Sequence, residues 1–116
     1  MELADLTTKI LAFRDARDWK QFHRPNQLAT AISIEAAELQ EHFLWKSPEQ
    51  IQAHLDDPKK FAALSEEVAD VLIYGLLLAH ELGIDPAKAI TEKLAKNDAK
   101  YPVEKAKGRN AKYTEL

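Results

Sequence analysis

The chain has 116 residues, 30% of them charged and 46% hydrophobic, which fits one folded domain with a single core and not a disordered tail. A net charge of −3 argues against a nucleic-acid coat or a polybasic membrane patch. The absence of cysteine excludes disulfides, thiolate catalysis and Cys-ligated zinc.

The opening MELADLTTKI carries acidic residues and no signal-type apolar run, so the chain reads as cytoplasmic. Apolar positions recur at helical spacing throughout, with only three glycines and no Asn-Gly or Asp-Gly hairpin signal. This predicts an all-α bundle of four to five helices in a single domain over residues 1–116. The first helix is expected from about Glu2 to Arg17, with Leu3, Leu6, Ile10 and Phe13 on one face. A loop, DWKQFHRP, leads to Asn26 as the expected N-cap of a second helix that runs to about Trp45. That helix is expected to pack through Leu28, Ile32, Leu39 and Phe43. In SPEQ, Ser47 is the cap, Pro48 the first helical residue and Gln50 the capping-box partner of a short helix ending near Leu55. In DDPKK, Asp57 and Pro58 open a long helix that Gly83 stops. IDP begins a last helix from Pro86 to about Lys100, and Pro102 and Gly108 mark an irregular tail.

The longest apolar run, Val71 to Ala79, is about half of what a membrane span needs, so no membrane partner is expected. From Val68 to Ala79 the long helix is apolar nearly all round and must be covered on more than one side. A partner subunit is the expected cover.

The second helix carries Glu35, Glu38 and Glu41 in SIEAAELQEHFLWK. At about 100° per residue Glu35 lies just beside the Leu28/Ile32/Leu39 stripe, with Glu38 a step further round and Glu41 turned to solvent. On the long helix the same geometry groups Glu67, Asp70 and Tyr74 and sends Glu66 elsewhere. If these two helices pack antiparallel, four carboxylates converge, and they cannot all stay ionised without a cation. An all-oxygen set selects Mg²⁺ or Mn²⁺ over zinc. A di-iron bundle would need Glu-x-x-His on two helices, and no glutamate here has a histidine three residues later. The expected metal ligands are therefore Glu35, Glu38, Glu67 and Asp70.

Two further groups accompany this set. Lys93, Lys96, Asn97 and Lys100 fall within about a third of the last helix's circumference and suit phosphate oxygens. Trp19 and His23 in the first loop, Trp45 at the end of the second helix, and Tyr74 one turn past Asp70 suit a stacked base. His42, one turn after Glu38, is placed to hydrogen-bond a metal ligand, with plain packing the favoured reading.

With these residues in place, the chain resembles the MazG-type all-α nucleotide pyrophosphohydrolases, and within them the short dCTP pyrophosphatase branch. The resemblance rests on Glu35-Ala-Ala-Glu38 and Glu67-Val-Ala-Asp70, with RDWKQFHRPNQLA, FLWK, EEVADVLIY, KNDAKYP and AKYTEL around them, from about Arg14 to the C-terminus. It implies Mg²⁺-dependent cleavage of a nucleoside triphosphate, dCTP or a modified dCTP, to monophosphate and pyrophosphate. It also implies metal binding by Glu35, Glu38, Glu67 and Asp70, and phosphate contacts from Lys93 and Asn97. Trp19, Trp45 and Tyr74 would lie near the base in a homodimer or homotetramer. Ile10 stands where vertebrate members carry a histidine against the base, so a leaky pyrimidine preference is expected. Glu38 is the expected base towards water. A phosphoribosyl-ATP pyrophosphohydrolase and a non-catalytic helical interaction module are the competing readings.

Overall fold

The structure, a computed structural model, describes residues 1–116 as six α-helices with no strand. They are α1 (Leu3–Ala16), α2 (Pro25–Glu41), α3 (Pro48–Asp56), α4 (Pro58–Glu81), α5 (Pro86–Lys100) and α6 (Val103–Ala106), with 3₁₀ turns at Lys20–Phe22 and Tyr113–Glu115. The chain forms two compact units, Met1–Gly83 and Ile84–Leu116.

Proline sets most of the helix starts. It occupies the first turn of α2, α3, α4 and α5, where its fixed φ suits the helix and its missing N–H costs nothing. Ser47 and Gln50 form the expected capping box of α3. Asp57 accepts from the backbone N–H groups of Lys59 and Lys60, and Asp85 accepts from that of Lys88. Asn26 is not a cap: α2 already begins at Pro25, and Arg24 takes the extended cap position with ψ 151°. The residue before a proline is pushed to extended backbone, which fixes the start there. At the other end α2 stops at Glu41, and Trp45 takes a left-handed φ of 60° that no helix can continue through. Gly83, at φ 68°, stands just past the end of α4.

In the first unit α2 packs along α4, and α1 and α3 also pack on α4. Leu28, Leu64 and Leu77 are the buried apolar side chains. Leu6 and Phe13, expected on the buried face of α1, are exposed, and Arg14 takes the buried place. Its guanidinium donates to Glu81 Oε1 and Asp15 Oδ1, both at 2.9 Å, which ties α1 to the end of α4. Along α4, Val68 is 42% and Leu72 62% exposed, so the all-round apolar helix keeps an uncovered side within the chain. No helix is long and apolar enough to cross a membrane.

In the second unit the tail is more ordered than its Pro102 and Gly108 suggested. Tyr101 and Tyr113 meet edge-to-face at 6.1 Å, and Lys100 Nζ lies 4.8 Å from the Tyr113 ring centroid.

Candidate carboxylate centre and adjoining cavities

Three of the four expected carboxylates converge. Glu35 and Glu38 from α2 and Glu67 from α4 each place one oxygen within 4.8 Å of the others. Asp70, one turn past Glu67, is close enough for its charge to act on Glu35. Glu41 and Glu66 stay exposed, as the helical geometry predicts.

Glu35 Oε2 and Glu67 Oε2 are buried and have no hydrogen-bond partner in the chain. Buried carboxylate oxygens are costly when unpaired, so the cluster lacks a donor or a cation. A proton is one way to supply it. Hydrogen bonding of a protonated Glu35 to Glu67 is the largest cause holding its pKa at about 7, followed by burial and then by Glu38 and Asp70. A divalent cation is the other. All the donors are carboxylate oxygens, the set that suits a hard ion, and the residues present fit one.

Two cavities flank the cluster. One, of about 360 Å³, is an aromatic and aliphatic slot with walls of Ile10, Phe13, Ile73 and Leu77 and the rings of Trp19 and Tyr74. This is the size range of small-ligand sites. Its charged and polar groups, besides the Tyr74 hydroxyl and the Trp19 indole, are Lys9, Asp70, His23 and the buried Arg14. His23 Nδ1 is buried without a partner, and burial foremost, then the charges of Glu35 and Asp70, raises the Tyr74 phenol pKa. Tyr74 therefore stays a neutral hydroxyl at physiological pH. Trp19 is set against Phe13, edge-to-face at 5.8 Å, directly after Asp18 in left-handed backbone at φ 54°. The second cavity, about 420 Å³ and wide open, is polar, with Glu38, Glu41, Glu67, His42, Lys46 and His54 around it.

Residues 30–116, most of the chain, match the family model for the MazG-like family. The chain belongs to that family. The dCTP pyrophosphatase 1 of Rattus norvegicus is 40% identical over 114 residues, spanning 98% of this MazG-like chain and 67% of the rat protein. The Homo sapiens protein of the same name is 39% identical over the same shares. Among solved structures, the crystal structure of a pyrophosphatase from Archaeoglobus fulgidus superposes with a TM-score of 0.78 at 42% identity, covering 86% of this chain and 92% of that one.

Within this MazG-like chain the expected base contacts divide. Trp19, His23 and Tyr74 share the aromatic cavity with Asp70. Trp45 does not join them: it is 91% exposed, beside Leu44 at the end of α2. Lys93, Asn97 and Lys100 belong to the second unit, where Lys93 and Lys100 are exposed and Asn97 is half-buried. Sequence reasoning passed over two features. Arg14 sits one turn past Ile10 on an apolar stripe, and a charge at that register was the available signal. His54 has no such signal, because its partner His42 is twelve residues away and only the packing of α3 joins them.

Proposed function

We propose that this MazG-like chain is a nucleoside triphosphate pyrophosphohydrolase of the cytoplasm that cleaves dCTP, or a modified dCTP, to the monophosphate and pyrophosphate. The carrying observation is the carboxylate centre, with its two unpartnered buried oxygens, set between an aromatic cavity and a polar one. The likeness to dCTP pyrophosphatase 1 and to an archaeal pyrophosphatase supports the same reading. Residues 1–116 act in it as one domain.

Glu35, Glu38, Glu67 and Asp70 would hold Mg²⁺, with Mn²⁺ as a substitute. When bound, the ion supplies charge neutralisation for the phosphate oxygens. The chain's own residues do the rest. Trp19 and Tyr74 stack on the base, and the partnerless Nδ1 of His23 hydrogen-bonds its edge. Ile10 offers that base only an apolar surface, so other pyrimidines are tolerated. Glu38 borders the open polar cavity and takes the proton of the attacking water. The water oxygen bonds to the α-phosphorus as the α–β bridging bond breaks, and the electron pair leaves on pyrophosphate. Lys93, Asn97 and Lys100 are assigned as phosphate contacts on their chemistry alone.

The active form is a homodimer or homotetramer. Val68 and Leu72 on α4, and Leu44 and Trp45 after α2, are large apolar side chains left open to solvent in the single chain, which favours a covering partner. A second copy covers that surface, and Trp45 contacts the base in the assembled form.

Pyrophosphate release from the four canonical and several modified dNTPs, with and without Mg²⁺, tests this. Fastest Mg²⁺-dependent turnover on cytosine nucleotides is expected. No release from any nucleotide would return the chain to the interaction-module reading.

A further inference from the structure

The polar cavity holds a histidine pair that the reaction above does not use. His42 Nδ1 and His54 Nε2 are 2.9 Å apart, and their ring centroids 5.1 Å. That centroid separation is close to the most a 2.9 Å N–N contact allows, so the two nitrogens meet head-on. Head-on contact is the geometry of an N–H···N hydrogen bond, whereas two lone pairs sharing an ion would converge at an angle.

One proton sits in that contact, and its owner can be assigned. His54 is only 8% exposed, and its Nδ1 is buried with no partner. Burial foremost, then the charge of Lys46, lowers its pKa, so the ring is neutral and carries one N–H. A hydrogen on Nδ1 would be a buried donor without an acceptor, which native interiors rarely contain; an unused lone pair is tolerated more often. The hydrogen is therefore on Nε2, donated to His42 Nδ1. With its Nδ1 accepting from His54, His42 carries its own hydrogen on Nε2. That nitrogen is not buried and has no partner in the chain.

The remaining walls of this cavity are Glu38, Glu41 and Glu67, with Lys46 as the cation. A fixed N–H and an ammonium beside a carboxylate centre suit a phosphate oxygen. Asp70 lines the aromatic cavity while Glu38 and Glu67 line this one, so a nucleotide with its base against Trp19 extends its far phosphates here. We infer that His42, held in one tautomer by His54, donates its Nε2–H to the terminal phosphates of the nucleotide and to the pyrophosphate product. This rests on the pyrophosphohydrolase reading; His42 is the substrate contact and His54 the positioning residue.

Long-range ¹H–¹⁵N spectra of the imidazoles, and calorimetric binding of inorganic pyrophosphate and of dCMP in Mg²⁺, test it. The wild type should show the Nε2–H tautomer at both histidines. His42→Leu should weaken pyrophosphate binding roughly tenfold or more, the loss of one hydrogen bond to a charged group, and leave dCMP binding unchanged. His42→Gln, which keeps an N–H donor, should recover most of the affinity, and His54→Leu should lose part of it. Wild-type pyrophosphate affinity in a folded His42→Leu protein, or an Nδ1–H on His42, overturns the proposal. The failure of the reaction reading looks different: no dNTP is cleaved, while the tautomers and the pyrophosphate affinities of the variants still answer for His42. If His42→Leu does not fold, the wild-type tautomer spectrum decides alone.

Discussion

Glu35→Gln should stabilise the metal-free protein, and more so as pH rises. In the folded chain the Glu35 carboxyl is held at about 7 against 4.5 in the unfolded chain, mainly by hydrogen bonding to Glu67 and then by burial. The folded state therefore binds this proton more tightly. The contribution to stability is complete below about pH 4.5 and is lost as pH rises through about 7. At about 1.4 kcal/mol per pH unit the full difference is about 3.4 kcal/mol. Glu35 is half-buried and the cluster opens onto a wet cavity, so screening reduces this to about 1–2 kcal/mol. An amide has no such proton to lose. At pH 8 without divalent ions the variant should melt about 5–10 °C above the wild type, and at pH 4.5 the gap should nearly close. Mg²⁺ should then raise the wild-type melting temperature and leave the variant nearly unmoved, since only the native carboxylate set binds it. The variant should release no pyrophosphate. Thermal melts by circular dichroism at the two pH values, with and without Mg²⁺, decide it. Equal melting temperatures at pH 8, or a gap independent of pH, would refute the converging-carboxylate argument.

Trp19→Ala and Trp45→Ala should each raise KM, with a loss of about ten- to hundredfold in kcat/KM from about 1–3 kcal/mol of lost stacking, read by steady-state kinetics on four dNTPs. Glu67→Gln should instead lower kcat, because charge on the phosphates peaks as pyrophosphate leaves; a pure KM effect in the same kinetics would count against its place in the centre. Leu72→Glu should convert the oligomer to monomers in light scattering, and a well-folded wild-type monomer at micromolar concentration would remove the shared surface. Arg14→Met should cost about 3 kcal/mol in urea unfolding, because Glu81 is left half-buried and unpaired.

The fold was largely legible because its punctuation is local. Ser47–Gln50, Asp57–Pro58 and Asp85–Pro86 each mark a helix start within a few residues, and each stands where expected. The carboxylate centre was legible for a related reason: an i, i+3 acidic pair beside an apolar stripe has its facing fixed by helical geometry. Asn26 misled because two local signals competed, and the proline one residue earlier won. Leu6 and Phe13 misled because periodicity reports which side of a helix is apolar and not whether the same chain covers it. The His42–His54 contact was out of reach, since it depends on how α3 returns against the end of α2.

Trp45 joins these threads. It breaks two local rules together, a bulky side chain in left-handed backbone and a large aromatic left almost wholly in water. The backbone alone costs about 1–2 kcal/mol, and nothing within the chain offsets it. Sequences agree with local rules nearly everywhere, and disagreement concentrates where a site or an interface needs it. Leu44 beside it and Leu72 and Val68 on α4 are open in the same single chain. A second copy that buries this surface would return the lost energy and give the indole a ring to stack on. Trp45→Gly separates the two contributions. Glycine adopts φ 60° freely, so the variant should hold or gain stability as a monomer, while the assembled enzyme loses both affinity for its partner and hold on the base.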